Sequence, residues 1–213
     1  MDTSFITINT HSSIRLQASQ GTVIYVDPYG FQTAPHDASL TLITHTHFDH
    51  FSPEDIAKVR TDRTAFVMPG TGMTDFIDAG FTDESVTFLA PGEHATPLPG
   101  IEIEAVSAYN VSKAFHPKAN AWLGYVIEMD GLRIYVAGDT DGLAENRSIS
   151  CDITLVPVGG TYTMDVREAA AFVNALRPVV AIPEHYGTVA GSPDDGKAFA
   201  ALVDPSIEVA LKL

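Results

Sequence analysis

The sequence predicts an α/β fold, one domain over residues 1–213 with two β-sheets and flanking helices. Three observations predict it. Short strand signals recur along the whole chain, helical signals are fewer, and no linker or low-complexity segment separates the two halves. A hydrophobic content of 45% over 213 residues is enough to bury a sizeable core.

The elements follow in order. Phe5-Ile6-Thr7-Ile8 and Ile14-Arg15-Leu16 alternate, as half-buried antiparallel strands do. Val23-Ile24-Tyr25-Val26 and Leu40-Thr41-Leu42-Ile43 are continuous apolar runs that suit buried strands. Gly21 sits where a hairpin turn would join the second strand to the third. Ser52-Pro53-Glu54-Asp55 offers an N-cap with proline at the first helical position, followed by Ile56 and Val59. In the second half, Trp122 to Glu128 and Leu132 to Ala137 predict a hairpin around Asp130-Gly131. Ile153 to Val156, Val179 to Ile182 and Ile207 to Leu211 are further buried strands. Asp165 caps a helix through Glu168, Ala169, Phe172, Val173 and Leu176 that ends before Pro178.

Composition excludes several classes of protein. Charged residues are 18% of the chain, too few for a disordered polyelectrolyte. No apolar run approaches the ~18 residues of a membrane-spanning helix. Met1-Asp2-Thr3-Ser4 has no basic region leading into an apolar stretch, so no secretory signal is expected. The single cysteine, Cys151, rules out an internal disulfide, and the cytoplasm is the expected compartment. Twelve Lys+Arg against 27 Asp+Glu give a formal charge of −15, a field that repels nucleic acid. The expected partner is a small-molecule substrate, not nucleic acid or a membrane, and a homo-oligomer is left open.

Polar residues cluster where strands end. Asp27, His45, Asp139 and His185 each follow an apolar strand within a residue or two, so they are expected on one rim of the sheets. The central signal is Thr44-His45-Thr46-His47-Phe48-Asp49-His50. As a strand, it would put His45, His47 and Asp49 on one face. Turning after His47, it would aim Asp49 and His50 at a second, adjacent position. Imidazole and carboxylate donors bind divalent transition ions at about 2.0–2.2 Å. A histidine-rich surface loop is the bland alternative, and the dense spacing directly after an apolar strand argues against it.

The His-x-His-x-Asp-His run resembles the signature of the metallo-β-lactamase superfamily. Ile24 to Pro28, Leu42 to Phe51, Phe115-His116-Pro117, Ile134 to Thr140, Leu155 to Met164 and Ile182 to Gly187 resemble, in order, one branch of it: small bacterial and archaeal metal-dependent hydrolases of the ascorbate-6-phosphate lactonase type. The resemblance implies a four-layer αββα sandwich with the site at one edge and two divalent metal ions. His45, His47 and His116 would hold one ion. Asp49, His50 and His185 would hold the other. Asp139 would bridge them, and Asp49 would also carry a catalytic proton. Zinc is the first expectation, but a nitrogen-and-oxygen donor set without thiolate does not separate it from manganese, iron or nickel.

Read singly, these residues leave alternatives. Asp139 in Gly138-Asp139-Thr140 equally suits a turn or a helix cap. His116 lies in an apparent loop, where histidines are usually solvated, and His185 at a strand end reads either way. Asp27 suits a carboxylate that accepts the second N–H of His45 or His47 and fixes its tautomer, or a simple Asp-Pro turn. His11, Tyr162 and Tyr186 are substrate-side or supporting candidates. Tyr109, Asn110, Lys118, Trp122 and Thr161 also flank the ligand segments, and Lys118 could neutralise a phosphate or carboxylate, although packing or solvation is the default for each. His36 and His94 read as surface residues.

The expected activity is hydrolysis of a small ester, lactone or phosphodiester by metal-activated water. The alternatives are a redox-active iron protein of the same fold, a nuclease and a non-catalytic metal binder. The first would need a flavin partner, and the second a basic clamp; neither is visible in this chain.

Overall fold

The computed structural model describes residues 1–81 and 86–213, and in it two mixed sheets stack face to face. The first sheet holds β1 (Ile6–Thr10), β2 (Ser13–Gln17), β3 (Val23–Val26), β4 (Leu40–Leu42), β5 (Ala65–Pro69) and β6 (Val86–Leu89), side by side in chain order. The second holds β7 (His94–Leu98), β8 (Ile101–Ser107), β9 (Leu123–Met129), β10 (Leu132–Val136), β11 (Ile153–Pro157), β12 (Val180–Glu184) and β13 (Glu208–Val209). Among the described residues four α-helices complete the fold: α1 (Pro53–Val59), α2 (Met73–Asp78), α3 (Val166–Leu176) and α4 (Asp195–Ala200).

The two-residue period of the strands makes the layers. Ile24, Val26, Leu40, Leu42 and Val67 of the first sheet meet Ile134, Val136, Ile153, Leu155, Val180 and Ile182 of the second in one buried cluster. The alternate residues face outward. Phe66 and Met68 pack with Ile56 of α1 and Phe76 of α2. Tyr135, Val156 and Ala181 pack with Ala169, Phe172 and Val173 of α3 and Phe199 of α4. Buried strands therefore read as continuous apolar runs because both faces are covered, and the order of layers is αββα.

Local chemistry closes the elements as the sequence predicts. Asp130 and Gly131 both adopt positive φ, the conformation that a two-residue hairpin turn requires. Ser52 caps α1 with Pro53 in its first turn, and Asp165 with Glu168 forms a reciprocal capping box on α3. The expected strand at Ile207 to Leu211 shrinks to Glu208–Val209. The structure adds β5, β6, β7, β8, α2 and α4. Of these, β8 carried a readable signal: Ile101, Ile103 and Ala105 point inward and alternate with Glu102 and Glu104. The helices α2 and α4 have six residues each, too short to show a helical period.

Strand direction then decides where the loops meet. β3 to β6 run parallel, and two antiparallel steps return β1 to the same direction. In the second sheet β10 to β13 run parallel, and β8 shares their direction through β9. Residues following β1, β3, β4, β8, β10 and β12 therefore emerge on one rim. The sheets are tied there by Leu123 N–H to the Thr44 carbonyl at 3.0 Å, His185 N–H to the His11 carbonyl at 3.2 Å, and the Tyr125 hydroxyl to the Ile43 carbonyl at 2.6 Å.

Tyr125 is fully buried, so Tyr125→Phe leaves the Ile43 carbonyl without its side-chain donor. The expected loss is about 1–3 kcal/mol of stability, read as a lower urea midpoint at unchanged slope; a midpoint equal to that of the parent protein would show that this bond contributes nothing.

Candidate metal centre

The loop after β4 is shaped by hydrogen bonds, not by a strand. Thr44 donates its N–H and its hydroxyl to the two carboxylate oxygens of Asp27, at 2.8 and 2.6 Å. The N–H groups of His50 and Phe51 both donate to the His47 carbonyl, at 3.0 and 2.8 Å. The chain thus turns at His47, and Asp49 and His50 leave it in a different direction from His45 and His47.

Three overlapping groups of donors result: His45, His47 and His116; His45, His50 and Asp139; and His11, Asp49, His50 and His185. Within each, one ligand atom per residue lies within 4.8 Å of the others. Asp139 is at the middle. Its Oδ2 lies 3.2 Å from His116 Nε2 and 3.1 Å from His185 Nε2, and its Oδ1 lies 3.4 Å from His50 Nε2. All seven residues singled out by sequence as ligands converge here, and His11, at the end of β1, joins them with Nε2 3.2 Å from Asp49 Oδ2.

The protein's own charges polarise this cluster. Burial pulls His45 well below the usual imidazole pKa, and the charge of His50 adds to it. Burial alone would raise Asp139, but His185 and His50 overcome it and hold the carboxyl well below its usual range. The same pairing, through Asp139 and Asp27, raises His50 well above the imidazole range against its burial.

The far side of several rings is held. His50 Nδ1 lies 2.7 Å from Asp27 Oδ2 and His116 Nδ1 lies 3.1 Å from Asn110 Oδ1; both oxygens accept only, so Nε2 is left as the free nitrogen aimed inward. Asp27 therefore steadies His50, not His45 or His47. It reaches across from the parallel neighbour strand, and that distance is invisible in sequence. Asn110, which flanks the ligand segment in sequence, is buried, and its side-chain N–H donates to Asp141 at 3.1 Å.

The inner atoms give the test of fit. His11 Nε2, His50 Nε2, His116 Nε2, His185 Nε2 and Asp139 Oδ1 are buried and have no hydrogen-bond partner. The ring nitrogens stand 3.1–3.4 Å from nearby carboxylate oxygens without forming a hydrogen bond. Each unsatisfied buried group costs about 1–3 kcal/mol, and five together are a set that divalent cations satisfy. The residues present fit such ions.

A cavity of about 280 Å³ opens onto the cluster, lined by His47, Asp49, His116 and Asp139 on its floor and by Phe48, Phe115, Tyr162 and Val189 on its rim. Tyr162 thus faces the cavity. Tyr186 does not: it packs under Gly196 of α4 in the outer apolar cluster. Lys118 is also outside the cavity, bonded to the Tyr109 hydroxyl and 3.6 Å from Glu145. Trp122 packs its ring against His45 and His47, with centroids 4.8 Å apart in each case. His36 and His94 are exposed and belong to none of these donor groups. Gly159 backs onto the His185 carbonyl with no room for a Cβ, which gives the Gly159-Gly160 pair a packing reason.

This rim of histidines on an αββα sandwich defines the class, and comparison with known proteins agrees. The family model of the beta-lactamase superfamily domain matches residues 5–185. A UPF0173 metal-dependent hydrolase of Methanosphaerula palustris is 32% identical, covering 93% of this chain and 91% of its own length. A Parabacteroides distasonis crystal structure described as a metal-dependent hydrolase superposes with a TM-score of 0.83 at 32% identity, over 98% of this chain and 92% of that one. A metallo hydrolase of Ignicoccus hospitalis, 26% identical, superposes with a TM-score of 0.74 over 97% of this chain and 93% of that one. The chain belongs to the metallo-β-lactamase superfamily and, within it, to the UPF0173 metal-dependent hydrolases. Among the described residues no helix is long and apolar enough to cross a membrane.

One buried acid behind the cluster was not anticipated. Glu184 ends β12, and burial pushes its carboxyl up to about 7, only partly opposed by His185 and Ser12. The fold thus favours its protonated form. That contribution to stability is complete below the ordinary value of 4.5 and is lost as pH rises through about 7. In cation-stripped protein, Glu184→Gln is expected to flatten the fall in melting temperature between those two pH values. Parallel melting curves for parent and variant across that range would show that Glu184 is not its source.

Proposed function

We propose that this chain hydrolyses a small ester, lactone or phosphodiester with water activated between two divalent cations, zinc being the first candidate. The observation that carries the reading is the set of buried, unpartnered histidine and aspartate atoms that converge beneath an open cavity, with His116 and Asp139 also lining it. His45, His47 and His116 would hold one ion. Asp49, His50 and His185 would hold the other, with Asp139 between them and His11 beside the second. Bound there, the ions would lower the pKa of water towards about 7 and polarise the oxygen of the scissile group.

The chain's own residues then have distinct tasks. Asp27 and Asn110 hold the Nδ1 atoms of His50 and His116, so that Nε2 of each is the atom that faces inward, on His50 once its Nε2 proton has left. Asp49 lines the cavity, and His11 and His50 hold its carboxyl below the usual range against burial. It is ionised at neutral pH and can accept the proton of the attacking water and pass it to the departing alkoxide. For an ester, the water oxygen joins the carbonyl carbon, the C–O bond to the alcohol breaks, and alcohol, carboxylate and one proton leave. His11, left-handed at φ 52 and fully buried, brings its Nε2 to 3.2 Å from Asp49 Oδ2.

His47 is only half-buried, so its truncation spares the core. His47→Ala is expected to lower metal content, by elemental analysis, and to abolish turnover; an alanine variant with full activity would overturn the assignment. Because His50 is held charged at neutral pH by Asp139 and Asp27, a cation must displace its proton. Zinc added to the stripped protein at neutral pH is therefore expected to release protons into weakly buffered solution, and occupancy is expected to fall as pH is lowered. Uptake without proton release, or flat occupancy down to about pH 4, well below the imidazole reference near 6.5, would count against a histidine-held site.

A further inference from the structure

The floor and the rim of the cavity differ in chemistry. The floor is histidine and aspartate. The rim is Phe48, Phe115, Tyr162 and Val189. Phe48 is 66% exposed and Phe115 is 47% exposed, large apolar side chains held in water at the mouth. They are not loose: Phe48 meets Tyr29 edge-on at 6.1 Å, and Phe115 meets Tyr162 edge-on at 4.7 Å. Aromatic groups kept exposed and braced beside a polar site point to an apolar ligand face.

Charge points the same way. Among the described residues, no Lys or Arg lines this cavity. The two nearest candidates by sequence are engaged elsewhere. Lys113 pairs with Asp141 at 2.7 Å and with Glu168 at 3.5 Å, and Lys118 is bonded to Tyr109 and lies beside Glu145. The chain as a whole carries −15, so its long-range field also repels anions. A phosphodiester keeps a full negative charge through hydrolysis, and sites for it usually add guanidinium or ammonium groups. An uncharged carboxylic ester needs none.

We propose that the cavity takes an uncharged carboxylic ester, open-chain or cyclic, whose apolar acyl side lies between Phe48 and Phe115 with Tyr162 and Val189 behind. This deepens the hydrolase reading above and rests on it. At about 280 Å³ the cavity admits a small ester and leaves the end of a longer acyl chain against the exposed rings.

The test uses zinc-loaded protein and two readouts. Turnover is measured on 4-nitrophenyl acetate, butyrate and hexanoate and on bis(4-nitrophenyl) phosphate. From acetate to hexanoate kcat/KM is expected to rise at least about tenfold, as four added methylenes leave water for the aromatic rim. The phosphodiester is expected to be the poorest substrate. Phe48→Ala and Phe115→Ala should flatten the chain-length dependence at unchanged metal content, Phe115→Leu should restore most of it, and Phe115→Lys should shift the preference towards the phosphodiester. Binding is measured by the fluorescence of Trp122, the chain's one tryptophan, with hexanamide and diethyl phosphate as probes. Hexanamide is expected to bind more tightly, and Phe48→Ala to weaken it. A phosphodiester cleaved as fast as the hexanoate, or no dependence on chain length or on either phenylalanine, overturns the proposal while leaving the hydrolase reading intact. Tight hexanamide binding through Phe48 without turnover of any ester overturns the hydrolase reading and shows that only the rim is right.

Discussion

Six imidazoles and two carboxylates share a largely buried space beneath an open cavity, and the rest of the structure is arranged around that constraint. Asp139 is the point of greatest tension. It is ionised in a buried place, which only positive charge can sustain. His50 and His185 supply that charge from the protein itself, and divalent cations would supply more. Either way the ring nitrogens must aim inward, and their outer nitrogens must be held.

That holding recruits residues well outside the cluster. Asp27 grips Thr44 and His50 from the neighbouring strand, and Asp141 grips Asn110, which grips His116. The same Asp141 accepts from Val111 N–H and pairs with Lys113, so one carboxylate shapes the loop that carries His116. The backbone is strained for the same end. His11, Asp27 and His185 all lie at positive φ, a conformation that costs non-glycine residues about 1–3 kcal/mol. Each follows directly on a strand that ends on this rim. The left-handed residue breaks the strand and swings the side chain into the site.

Beside this rigid polar floor, the rim is open, aromatic and without cationic side chains among the described residues. The two parts divide the work in the reading proposed here. The floor would handle a polar reacting group, and the rim would select what is attached to it. The acidic surface is consistent with that division, because an uncharged ligand is indifferent to the overall field.

Much of this was legible in the chain alone. Continuous apolar runs marked the doubly covered strands, Asp130-Gly131 marked a hairpin, and Ser52 and Asp165 marked helix starts, because each depends on residues a few positions apart. The density of donors from His45 to His50 announced a metal-binding loop for the same local reason. Tertiary structure decided everything that depends on which strand lies beside which. It set Asp27 against His50, made Asn110 a support for His116, drew His11 into the cluster, and sent Tyr186 to the opposite face. The short helices α2 and α4 and the strands β5 to β7 were also beyond local reading, since their order comes from packing on sheets formed by distant segments. Spacing along a chain reports what a turn or a strand can bring together; the meeting of residues 11, 50, 116, 139 and 185 required two whole sheets to fold with their strand ends on one rim.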